Sequence, residues 1–234
     1  MKGPFRLEGI YSLNSLQEFH QYGVRQWLFD LRPKSFNFIQ QYVLNDCLKF
    51  LEQTGLEQDV YLRIQFEKDF MVDKIIKDLR DLGLMSNQLK FLFELSEVSD
   101  IAHAERNSIP YLFHYDFKKD SSVYSHSLLQ GIILTHADFE RMQKSQQVGS
   151  FIQEMNGEIS QGLFKDKVLG FSFDWHDDLQ TSVIDFMPFT FYSLPINGKV
   201  ESSYRQLDKE AFKGQFSIVQ RRLLSNAPNS RIST

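Results

Sequence analysis

The sequence predicts an α/β protein built as a single (β/α)8 barrel of TIM type, and three observations predict it. Eight short segments alternate apolar and polar residues and recur about every twenty to thirty-five positions, the rhythm of repeated strand–helix units. Amphipathic helical stretches lie between them. The length of 234 residues fits one such barrel, which commonly runs to ~200–250.

The alternation is clearest from 60 to 67. Val60, Leu62, Ile64 and Phe66 point one way and Tyr61, Arg63, Gln65 and Glu67 the other, because side chains alternate across a strand. The strand candidates are Phe5–Ile10, Val24–Leu31, Val60–Glu67, Leu89–Leu95, Tyr111–Asp116, Gly131–Thr135, Val168–Asp174 and Phe189–Leu194. With helices over the apolar faces, the other faces converge on an interior rich in ionisable groups. The rival architecture, an open doubly wound sheet, would open on a Gly-rich turn that this chain lacks.

Helix signals fall between the strands. Ser12 caps a stripe of Leu13, Leu16 and Phe19 that ends at Gly23. The stretch 38–51 carries Leu44, Cys47, Leu48 and Leu51 before Gly55, and Val72, Ile75, Ile76 and Leu79 repeat the pattern before Gly83. A long polar helix is expected between Phe139 and Gly162. Asp208 caps a last helix with Phe212, Phe216, Val219 and Leu223 on one face. His176–Pro188 leaves little room, so an irregular segment or no helix is expected after strand seven. Residues 1–225 then form one barrel, and 226–234 a flexible C-terminal tail.

Composition narrows the function classes. A net charge of −4 argues against nucleic acid or an anionic membrane as partner. No stretch reaches the ~18–20 apolar residues of a membrane span, and the start of the chain lacks an apolar signal core. Cys47 is the only cysteine, so an internal disulfide and a cysteine-based zinc site are excluded and a cytoplasmic setting is expected. The 22 Phe residues suit a tightly filled layer between sheet and helices.

Particular segments resemble phosphoribosylanthranilate isomerases. Arg6-Leu7-Glu8-Gly9-Ile10 is similar to the K-x-C-G-I strand that opens that family. The run from Phe29 to Ile39 resembles its second strand and loop, F-x-x-x-S-P-R-x-V, through Phe29, Ser35 and a late aliphatic residue. Phe173-Asp174-Trp175 resembles its F-D-W. The resemblance implies a barrel and a phosphosugar-like ligand. It also exposes departures: Glu8 stands where the family has its cysteine base, Thr135 where it has its aspartate acid, and Asn37 where it has the S-P-R arginine. The paired phosphate-binding glycines are missing, since Gly170 falls too early and Asn197-Gly198 offers one glycine.

Active sites of such barrels gather at the C-terminal strand ends. Groups placed there are Glu8, Asp30, Arg32, Glu67, Glu94, His114, Asp116, Thr135, His136, Asp174 and His176. Glu8 with Asp174 or Asp116 makes a candidate catalytic acid–base pair. Arg32, Arg63, Lys90, Glu94, His114, Lys199 and Ser202 are candidate substrate-binding groups. Lys199 and Ser202 belong to a turn, Pro195–Ser203, where backbone N–H groups could hold phosphate, and Arg32-Pro33-Lys34 offers a second anion site. His114-x-Asp116, His136-x-Asp138 and the acidic run 174–178 invite a metal, but a pair falls short of the three or four ligands a metal needs; no metal and no cofactor are expected. Cys47 lies on an apolar stripe, and no nucleophile elbow, P-loop or dinucleotide fingerprint occurs.

Two functions follow. In one, the carboxylates neutralise Arg32, Arg63 and Lys90 in a closed network, and the barrel is a catalytically degenerate module that binds a ligand or a protein. In the other, it is an isomerase or lyase acting on a small phosphorylated sugar or acid, with Glu8 as base. Open, convergent charges would favour the second; charges closed into salt bridges favour the first.

Overall fold

The computed structural model describes residues 5–64, 69–85, 88–116, 121–175, 183 and 185–225. Eight parallel strands close into a barrel in sequence order: β1 (Phe5–Glu8), β2 (Gln26–Asp30), β3 (Gln58–Arg63), β4 (Leu89–Leu95), β5 (Tyr111–His114), β6 (Leu129–Thr135), β7 (Val168–Ser172) and β8 (Phe191–Pro195). β8 pairs with β1, Phe5 opposite Tyr192 and Glu8 opposite Pro195. Seven of the eight strands begin and end within two residues of their expected bounds; β3 runs Gln58–Arg63 against an expected Val60–Glu67, of which 65–67 lie outside the described residues.

The helices among the described residues are α1 (Leu13–Gln21), α2 (Gln41–Gln53), α3 (Asp69–Asp81), α4 (Ile101–Asn107), α5 (His136–Lys144), α6 (Val148–Ser160) and α7 (Lys209–Ser225). Ser12 caps α1 by accepting from the Ser15 amide, and Asp208 caps α7 by accepting from Glu210 and Ala211. α2 buries Leu44, Cys47, Leu48 and Leu51, the stripe its spacing requires. Of the stripe expected on the last helix, Phe212 is buried and packs on Phe19 and Phe216; the Val219 and Leu223 side chains lie outside the described residues, as do residues 176–182, 184 and the tail 226–234.

Two expectations are corrected. The helix expected between Phe139 and Gly162 is two helices, broken at 145–147 where Gln146 takes a left-handed φ of 58°. The break occurs in the polar run Lys144-Ser145-Gln146-Gln147, where no apolar residue rewards continuing the helix; the Gln147 amide instead turns back to the Met142 carbonyl. The chain after β8 is also more than a turn leading into a helix. It forms an antiparallel hairpin, β9 (Glu201–Ser203) and β10 (Gln206–Leu207), before α7 begins.

Alternation produces two cores. Outward residues such as Trp27, Phe29, Val60, Leu62, Phe93, Phe113 and Phe171 join the helices in one large layer. Inward residues Leu28, Tyr61, Leu112, Ile133 and Phe191 form a smaller plug inside the barrel. Gly170 also faces inward: a Cβ there would lie 2.2 Å from the Phe191 ring, so the glycine makes room for that ring. The polar layer described next rests on this plug.

Candidate functional site

On β1 to β5 the inward positions nearest the C-terminal strand ends carry ionisable side chains, and these are paired. Glu8 on β1 accepts at Oε1 from Arg63 Nη2 (2.6 Å) and at Oε2 from the hydroxyls of Ser193 (2.6 Å) and Ser172 (3.0 Å). Glu94 on β4 accepts at Oε1 from Arg63 Nε (2.7 Å), from Arg63 Nη2, and from His114 Nε2 (2.7 Å). Arg63 thus bridges the two carboxylates.

Below them lies Arg6, fully buried between the rings of Tyr61 and Phe191, which are 4.7 and 4.8 Å from its guanidinium carbon. Its Nε donates to Ser193 Oγ at 2.9 Å, Nη2 stands 3.8 Å from Glu8, and Nη1 meets Glu94 Oε2 at 2.5 Å. That last contact is a charge contact rather than an aligned hydrogen bond. Two arginines and two carboxylates therefore neutralise one another, with aromatic faces adding cation–π attraction.

The electrostatics follow from this pairing. Burial and the neighbouring Glu94 push the Glu8 carboxyl upward, but Arg63, Arg6 and the Ser193 hydroxyl outweigh them and hold it below its ordinary value. Burial likewise opposes ionisation of Glu94, yet Arg6, Arg63 and the His114 hydrogen bond hold it well below. Burial disfavours the Arg63 cation, and both glutamates reverse that, raising it above its usual value. Both carboxylates are ionised at neutral pH, and His114 Nε2 therefore donates to Glu94.

A second cluster adjoins the first. Asp30, at the end of β2, accepts from the Arg32 amide (3.0 Å), Arg32 Nε (2.9 Å), Arg32 Nη2 (2.6 Å) and Ser35 Oγ (2.7 Å). Arg32 is thereby committed to its own loop. Asn37 donates from Nδ2 to the Ile196 carbonyl at 2.8 Å. It packs on Gly9, whose φ is +85° and where a Cβ would lie 2.2 Å from Asn37 Nδ2. Asn37 therefore ties three loops together across the mouth.

The remaining candidates do not join Glu8. Lys199 donates to Asp174 Oδ2 and to the Trp175 carbonyl, both at 2.8 Å, on the rim between β7 and β8. Trp175 is buried, with its indole N–H on the Pro195 carbonyl at 2.6 Å, so Phe173-Asp174-Trp175 anchors the end of β7. The Asp116 backbone is held by the Tyr124 hydroxyl, and Asp116 is not among the partners of Glu8. Ser202 is exposed on β9, its hydroxyl on the Gln206 carbonyl at 3.3 Å. Thr135 and Asp138 close a capping box at the start of α5.

Lys90 is placed away from the group. It faces the same way as Glu94 but sits four residues earlier, about 13 Å down the strand, where it is exposed and paired with Glu57 at 2.5 Å. Glu67, His176, Asp177 and Asp178 lie outside the described residues. Among the described residues no three His, Cys, Asp or Glu side chains group as a metal shell.

Arg6, Ser172 and Ser193 are the members that sequence reasoning passed over. The signal was present: each stands at an inward position, Arg6 two residues before Glu8 and Ser172 two after Gly170. Arg6 and Ser193 lie one inward position below the C-terminal ends of β1 and β8.

Comparison with solved structures bears on the same barrel. The fold is similar to phosphoribosylanthranilate isomerase from Thermus thermophilus, with 14% identity, a TM-score of 0.57, and 96% of this chain and 99% of that chain covered. A phosphoribosylanthranilate isomerase structure in complex with reduced 1-(o-carboxyphenylamino)-1-deoxyribulose 5-phosphate gives 14% identity and a TM-score of 0.58, covering 97% of this chain and 98% of that chain. Type I 3-dehydroquinate dehydratase from Clostridium difficile gives 9% and 0.56, covering 94% and 92%. The chain shares the closed (β/α)8 barrel of the phosphoribosylanthranilate isomerase structures. At these identities the likeness is one of fold, which hosts many chemistries. No protein-family model matches the sequence, and no curated protein matches it.

Proposed function

We propose that this barrel is a catalytically degenerate relative of the isomerase fold, serving as a cytoplasmic ligand-binding or protein-interaction module. The observation that carries the reading is the saturation of Glu8. Its two oxygens already receive Arg63, Ser193 and Ser172, with Arg6 close behind. A carboxylate held below its ordinary pKa by such partners is a poor general base, because taking a proton would forfeit those interactions. Asp174, the proposed acid, is committed to Lys199, and Asn37, which stands where the resembled isomerases carry an arginine, donates to the Ile196 backbone carbonyl. No helix among the described residues is long and apolar enough to cross a membrane, and the net charge of −4 disfavours nucleic acid.

One observation favours the second reading, an isomerase or lyase acting on a small phosphorylated sugar or acid with Glu8 as base. The His114 and Arg63 side chains keep 23% and 14% exposure at the mouth, so a small anion could touch the network from above. The isomerase complex with a phosphorylated, carboxyphenyl-bearing compound supplies the first probe class.

The deciding experiment assays phosphoribosylanthranilate turnover by the wild type and Glu8→Gln, with thermal-shift titration of both against phosphosugars and carboxylated aromatics. The proposal expects no turnover above the uncatalysed rate and a Glu8→Gln protein that melts lower. Turnover abolished in Glu8→Gln would overturn it and install the enzyme reading.

A further inference from the structure

The hairpin after β8 contains a conformational oddity. Its two strands are joined by Tyr204 and Arg205, and Arg205 takes a left-handed φ of 58°. That region favours glycine at such turns, because a Cβ crowds the backbone there. A residue with a side chain bears a modest steric cost there, and at this turn the Arg205 side chain makes contacts that offset it.

The side chain holds the neighbouring loop. Arg205 Nη2 donates to the Phe38 carbonyl at 2.5 Å and, more loosely, to the Phe36 carbonyl at 3.4 Å. The guanidinium lies over the Tyr11 and Tyr204 rings at 5.5 and 5.4 Å. Tyr204 meets Phe36 edge to face at 5.0 Å, with both rings more than half exposed. The gripped segment, residues 32–39, supplies Arg32 and Ser35 to Asp30 and Asn37 to Gly9 and Ile196. It forms the rim of the mouth beside Glu8 and Arg63.

We propose that hairpin β9–β10 is a strap that holds the loop after β2 closed over the barrel mouth, with Arg205 as its latch. The strap is suited to release. It has three and two residues in its strands, is paired only to itself, and shows a register shift between Gln206 and Leu207. A two-stranded ribbon of that size is marginal alone, so this element belongs to the low-stability end of the fold. Release lifts residues 32–39 and opens Asp30 and Glu8 to solvent. The strap governs access to the interior whether the barrel binds or catalyses, so it does not depend on the function proposed above.

The test compares wild type with Arg205→Ala and Arg205→Gly, the latter relieving the left-handed backbone while removing the latch. Two readouts are taken at neutral pH: amide hydrogen exchange across 32–39, and carbodiimide-driven coupling of glycine ethyl ester to Asp30 and Glu8, followed by peptide mass spectrometry. Both variants are expected to exchange the Ser35, Asn37, Phe38 and Ile39 amides at least ~10-fold faster and to label both carboxylates several-fold faster, with β4 and β5 amides unchanged. Unchanged exchange at 32–39 in both variants overturns the latch. Faster exchange without faster labelling overturns the closure of the mouth. A uniform rise that includes β4 and β5 in both variants also overturns the proposal, since Arg205 would then support the whole barrel.

Discussion

Arg63 reaches past β2 to Glu8: Nη2 lies 2.6 Å from Oε1, joining the third strand of the barrel to the first. The same guanidinium binds Glu94 on β4. One side chain thus cross-braces three strands through the interior, and several consequences can be measured.

Replacing Glu8 by Gln should destabilise the fold by about 3 kcal/mol, the usual scale for removing one partner of a buried pair. Arg63 would keep Glu94 but lose half its compensation. Urea unfolding followed by circular dichroism measures this; a change below 0.5 kcal/mol, roughly that of a neutral surface substitution, would contradict the brace.

Arg6 and Glu94 should be strongly coupled. Arg6→Met leaves Glu94 with one fewer cation in a fully buried site, and Glu94→Gln leaves Arg6 short of its closest charge contact. Each single change should cost about 3–5 kcal/mol. The double variant should cost less than the sum by about 1–3 kcal/mol, because the second change removes a charge the first has stranded. Strict additivity in the cycle would mean the two charges do not interact.

Acid should unfold the protein through this network. Glu8 and Glu94 have folded pKa values below their ordinary 4.5. Depressed carboxylates contribute stability that is fully present above the unfolded value and is lost as pH falls through the folded one. Stability should therefore be flat down to the ordinary carboxylate range and fall below it, with a shallower fall in Glu8→Gln. A Glu8→Gln profile parallel to the wild type would show that Glu8 carries none of the linkage.

Gly9→Ala should cost about 1–3 kcal/mol on backbone grounds, since the φ of +85° is retained only by strain, and the new methyl would also press on Asn37. Adding Asn37→Ala should recover only the steric share. Thermal melts of the single and double variants separate the two contributions, and full recovery would show that the backbone bears no strain.

The fold was legible in the sequence because its determinants are local. Alternation at period two placed Tyr61 and Arg63 inside and Val60 and Leu62 outside, and both placements stand in the structure. The α2 stripe and the caps at Ser12 and Asp208 were likewise readable from neighbours three or four positions apart. The break at Gln146 and the hairpin turn at Arg205 were not, since each puts a side-chain-bearing residue in a left-handed conformation that composition does not mark.

Period-two alternation along each strand dictates that charged side chains enter the barrel; which of them meet depends on how the strands come together. Lys90 and Glu94 share a strand face, yet Lys90 ends at the opposite rim with Glu57, while Glu94 finds Arg6 from β1 and His114 from β5. Ser172 and Ser193 reach Glu8 across more than 160 residues of chain. The reason is geometric. Side-chain direction is fixed by the local pleat, but depth and partner are fixed by strand register once the barrel closes between β8 and β1.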